Sequence, residues 1–144
     1  LKLFKIRMRY LIILLLFSNL LFAEHADENQ QLNAQNTTDG LLECYSFYEI
    51  YAYGLATRVE GDMSNEIKQM NETADILLIT AKQLQKLSHI SDEALTSKMQ
   101  LMVANILGMM DNSYANLSVA REKYSIRCKT LSESMIAFYQ LLQK

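Results

Sequence analysis

From residue 41 onward, apolar side chains recur at steps of three and four, the spacing that draws one stripe along an α-helix. The first stripe is Leu41, Cys44, Tyr48, Tyr51, Leu55 and Val59. Thr38 or Asp39 can cap its start and Gly61 its end. Asp62 can cap a second helix, whose stripe Ile67, Met70, Ala74, Leu77, Ala81 and Leu84 keeps a heptad-like pattern. That pattern stops near Ser88-His89. Ile90-Ser91-Asp92-Glu93 then reads as a new helix start, with Ser91 as cap and two carboxylates at the positive end of the dipole. The third helix buries Leu95, Met99, Met102, Ile106 and Met109. "DNS" at 111–113 marks either a turn with a fresh cap or a kink within one longer helix. The last stripe is the longest: Tyr114, Leu117, Arg121, Tyr124, Cys128, Leu131, Met135, Phe138 and Leu142, with Arg121 its one charged member.

Four amphipathic helices joined by short loops predict an all-α fold, an antiparallel four-helix bundle. Composition agrees: the 144 residues include no proline and four glycines, so little interrupts a helix. The two cysteines, Cys44 and Cys128, each lie on a buried stripe and are candidates for one disulfide, the alternative being two buried thiols. Setting Cys44 level with Cys128 makes the first helix track only the first half of the last one. The predicted bundle is therefore four helices thick at one end and three at the other. Leu84, Leu87, Leu95, Met99, Met135, Phe138 and Leu142 converge at the thin end. They form a candidate groove for a small apolar ligand, unless the preceding segment covers it.

The N-terminus reads differently. Lys2, Lys5, Arg7 and Arg9 precede an uncharged run from Tyr10 to Phe22, and Ala23 follows. This is the layout of a secretory signal, and the run is short of the ~20 residues that span a bilayer. Three segments are expected: a signal peptide at 1–23, a flexible polar arm at 24–40 and a helical domain at 41–144. Without the signal the chain keeps 10 Lys and Arg against 16 Asp and Glu, a net charge of −6. Such a chain repels phosphate backbones, so nucleic acid is not an expected partner, and no membrane span is expected after cleavage.

Chemistry-bearing clusters are sparse. "CYSFYEIYAY" (44–53) places five aromatic rings in ten positions. At 100° per residue Tyr48 and Tyr51 face the core, Tyr45 and Phe47 flank it, and Tyr53 points away with Leu42 on its side. Leu42, Tyr45, Glu49 and Tyr53 therefore form a candidate partner surface, with Glu49 able to pair with Arg58 or with a partner. His25, in the polar segment, and His89, at a loop, are the only histidines. They make no pair at helical spacing for zinc, the last helix has none to ligate haem, and no Ser/His/acid triad can be built from them. Of Met99, Met102, Met109 and Met110, all but Met110 fall on the third helix's core stripe, as core filler does, which disfavours a Cu(I) site. No catalytic residue, metal site or cofactor is expected, and an enzyme is disfavoured.

"LLECYSFYEIYAYGL" (41–55) together with "YANLSVAREKYSIRCKTL" (114–131) resembles a loose group of small exported helical proteins of Gram-negative bacteria. Those carry one Cys opening an aromatic-rich first helix and a second Cys after a Tyr in the last. The chain is more distantly similar to helical periplasmic immunity proteins that neutralise amidase toxins delivered by type VI secretion. The resemblance implies a periplasmic bundle that binds another protein, or a second copy of itself, as inhibitor, immunity factor or adaptor.

Overall fold

A computed structural model describes residues 28–58 and 62–141. Helix α1 spans Glu28–Arg58, α2 Ser64–Leu87, α3 Asp92–Met109 and α4 Leu117–Leu141, with a 3₁₀ turn Tyr114–Asn116 leading into α4. Among the described residues there is no strand. The fold is the predicted all-α four-helix bundle, and Cys44 and Cys128 are joined by a disulfide that closes a separation of 84 residues. The signal segment 1–23, Val59, Gly61 and Leu142 lie outside the described residues, as do the side chains of Leu87 and Phe138.

The helix boundaries follow local chemistry. Ser91 Oγ accepts the Ala94 amide at 3.1 Å, the cap its sequence predicts. Asp62 Oδ1 accepts from the Ser64 amide at 3.1 Å and its hydroxyl at 2.5 Å before α2 begins. α2 ends with His89 in the left-handed region, φ 55°, and the Ile90 amide returning to the Gln85 carbonyl. α3 ends in the same way: Asp111 turns left-handed, the Asn112 amide bonds the Leu107 carbonyl at 2.8 Å, and the Asp111 amide bonds Gly108. Ser113 Oγ then receives the Ala115 amide. The last two helices are thus separate, and "DNS" is a turn with a new cap.

One boundary departs from the prediction. α1 starts at Glu28, ten residues ahead of Thr38, so residues 28–40 of the segment expected as a flexible polar arm are helix, and residues 24–27 lie outside the described residues. Polar residues with few apolar partners do not by themselves nucleate a helix, but here they continue one already fixed by burial from Thr38 onward. The consequence is geometric. With Cys44 bonded to Cys128, the part of α1 before Cys44 runs beside the part of α4 after Cys128. Sixteen residues of helix reach about 24 Å in that direction, so the fourth helix is present where the uneven bundle lacked one.

α1 is the middle of the molecule, packing on α2 most extensively and also on α3 and α4. Thr38, Leu41, Leu42, Cys44, Ser46, Phe47, Ile50 and Ala52 are all buried, and at 100° per residue they point to every side. This answers the aromatic run. A helix enclosed by three others needs apolar residues all round, and "CYSFYEIYAY" supplies them. Phe47 is its centre, with ring centroids 5.3 Å from Tyr48, 5.5 Å from Tyr51 and 5.7 Å from Tyr124 of α4. Phe47, placed at a flank by the periodicity, is therefore core, while Tyr48 and Tyr51 are half-buried. Arg121, placed on the stripe of α4, is exposed, and Ala120 beside it takes the buried position.

Candidate functional site

Of the seven residues expected to border a thin-end groove, Leu142 and the side chains of Leu87 and Phe138 lie outside the described residues, and so does the groove as a whole. Leu84 and Leu95 are buried in the continuous core, and Met99 and Met135 pack against it. The early start of α1 carries helix along the flank expected to be uncovered. Leu42, expected on the outer face, is fully buried. Asp39, one turn before it, is bonded to Lys98 of α3 at 2.6 Å, which fixes the start of α3 over that stretch of α1.

Lower on the same face α1 and α3 leave an open groove of about 710 Å³. The α1 wall is Tyr45, Ser46, Glu49, Ile50 and Tyr53; the α3 wall is Thr96, Met99, Gln100, Val103, Ala104 and Leu107; Asn112 and Tyr114 close one end. Three of the four residues predicted as a partner surface, Tyr45, Glu49 and Tyr53, are therefore brought together, joined by Met99 from the other predicted set. They gather because 45, 49 and 53 are spaced by four, which stacks them on one helix face. Tyr53 is 58% exposed, with its ring tilted on Tyr114 at 5.2 Å. Val103, Leu107 and Tyr114 were not anticipated. Val103 and Leu107, with Leu101, exceed what the single stripe of α3 can absorb, and that excess was the available signal.

The electrostatics are simple. Burial raises the Tyr45 hydroxyl above its ordinary pKa, and the charges of Glu49 and Asp75 add to the rise. Glu49 is exposed. Arg58 does not reach it: its guanidinium donates to the Tyr114 carbonyl. Ser46 Oγ is buried at the groove without a hydrogen-bond partner. Among the described residues no three His, Cys, Asp or Glu side chains gather in a metal-holding group, and no helix is long and apolar enough to cross a membrane. What the groove offers is aromatic and apolar contact area and one carboxylate.

No protein-family model, curated protein or solved structure matches the chain.

Proposed function

We propose that this chain is an exported protein that binds another polypeptide in the α1–α3 groove, acting as an inhibitor, immunity protein or adaptor in the periplasm. The observation that carries the reading is the groove itself: Tyr45, Glu49 and Tyr53 on one side and Met99, Val103 and Leu107 on the other, open to solvent. Tyrosine and methionine are enriched where proteins meet, because each gives large contact area at low polar cost. Export is supported by the basic and apolar pattern of residues 1–23 and by the Cys44–Cys128 bridge, which fits an oxidising compartment.

The test is site-specific photo-crosslinking in the periplasm of a Gram-negative host. A benzophenone amino acid replaces exposed Gln100 in the groove or exposed Glu122 on α4. One discrete adduct from position 100 and none from position 122, lost on Tyr53→Asp, is expected. Identical adduct patterns from the two positions, or no adduct from position 100, would overturn the reading.

A further inference from the structure

Of the charged side chains described on the two helices that wall the groove, Glu49 and Glu93 have neither an ion pair nor a hydrogen bond among the described residues, and only Glu49 lines the groove. α3 carries a single cation, Lys98, and Asp39 holds it at 2.6 Å. α1 carries a single cation, Arg58, and the Tyr114 carbonyl takes it. Among the carboxylates of α1 with described side chains, Asp39 is bonded to Lys98 and Glu43 to Arg127 of α4 at 2.6 Å. Among the described residues Glu49 is thus left unpaired, the one charged side chain lining the groove.

Its neighbours define what would satisfy it. Tyr45 and Tyr53 stand one helical turn to either side, so a carboxylate is flanked by two aromatic rings on one face. Such a set attracts a cation twice, through the negative charge and through the negative faces of the rings. It repels a carboxylate or phosphate for the same reasons. Opposite, Met99, Val103 and Leu107 offer an apolar wall against which the methylene stem of a lysine or arginine can lie.

We propose that Tyr45, Glu49 and Tyr53 form the recognition point for a cationic side chain, lysine or arginine, presented by the polypeptide that occupies the groove. This rests on the binding role proposed above and adds the chemistry of the partner. A polypeptide fits better than a free amine because the site is an open trench. Its α3 wall, Thr96 to Leu107, extends about 16 Å, whereas small-ligand pockets enclose most of their ligand.

The test uses n-butylammonium as a mimic of the lysine side chain and n-butanol as its uncharged counterpart, each titrated into the purified protein and followed by amide NMR. Butylammonium is expected to shift the signals of residues 45, 49 and 53 with an affinity about fivefold above that of butanol. In Glu49→Gln the two probes become equal. An equal response of the wild type to both probes, no response, or an ammonium response unchanged in Glu49→Gln overturns the proposal. A second arm repeats the crosslinking from position 100 in a Glu49→Lys background. Loss of the adduct with the fold intact by circular dichroism supports the cationic partner. An adduct at undiminished yield overturns it while leaving the binding role standing. A specific ammonium response in a protein that captures no polypeptide overturns the assignment to a partner's side chain and leaves a site for a free organic cation.

Discussion

Tyr45 is half-buried at the edge of the groove, with Glu49 one turn away on its own helix and Asp75 on α2. Burial disfavours its phenolate most, and the two carboxylates disfavour it further. The sign of the linkage follows. Between the unfolded pKa near ~10 and the higher folded value, the folded chain holds a proton that the unfolded chain has lost. Stability is therefore unaffected by this group below about pH 10 and declines as pH rises from there towards the folded pKa. Absorbance titration at 295 nm of the wild type against Tyr45→Phe isolates the curve of this one phenol. It is expected to lie above that of a free tyrosine amide. Glu49→Gln moves it down only part of the way, because desolvation is the larger cause. A curve that Glu49→Gln leaves in place would mean that the carboxylate does not face the ring.

At the scale of the helix, two glycines separate packing from propensity. Gly108 lies in the last turn of α3, and a Cβ there meets nothing within 4 Å. Gly54 lies in α1, and a Cβ there comes within 2.6 Å of Leu117 Cδ1 and 2.9 Å of Tyr114 Cδ1. Both substitutions to alanine gain up to about 1 kcal/mol of helix propensity. Only Gly54→Ala also forces Leu117 and Tyr114 apart, at about 1–3 kcal/mol. In urea unfolding Gly108→Ala is expected to be stabilised by about 0.5 kcal/mol and Gly54→Ala destabilised by about 1 kcal/mol. A stabilised Gly54→Ala would show that α1 and α4 separate at that end without cost. The same contrast explains what could be read from sequence. α2 has solvent along one side, so its stripe matches the buried Ala74, Leu77, Ala81 and Leu84, with Ile67 and Met70 half-buried before them. α1 has neighbours on three sides, and a one-stripe reading therefore misplaced Leu42 and Phe47. Its start at Glu28 was illegible because "ENQQLNAQNTT" carries no apolar period to announce a helix. In the groove Tyr45, Glu49 and Tyr53 were legible from their spacing of four. The α3 wall was not, because which side of α3 meets α1 depends on the tertiary arrangement.

For the molecule as a whole, the Cys44–Cys128 bridge fastens its central helix to its last. Both sulfurs are fully buried between α1 and α4. The loop it closes, a sequence separation of 84, constrains the unfolded chain by about 4–5 kcal/mol in the chain-entropy model. That is comparable to the whole net stability of many domains of this size. The reduced protein should therefore unfold at a urea concentration roughly 3 M lower than the oxidised one. Because no reductant can touch a sulfur that has no surface, reduction in native buffer must wait for α1 and α4 to part. The rate of the two-hydrogen mass gain under dithiothreitol is then expected to rise steeply with urea, parallel to unfolding. Rapid reduction in the absence of urea, with helical content retained, would show instead that α4 opens locally from α1. In that event Tyr114, at the start of the opening helix, would carry the end of the groove with it, and binding at Tyr53 would respond to the redox state of the bridge.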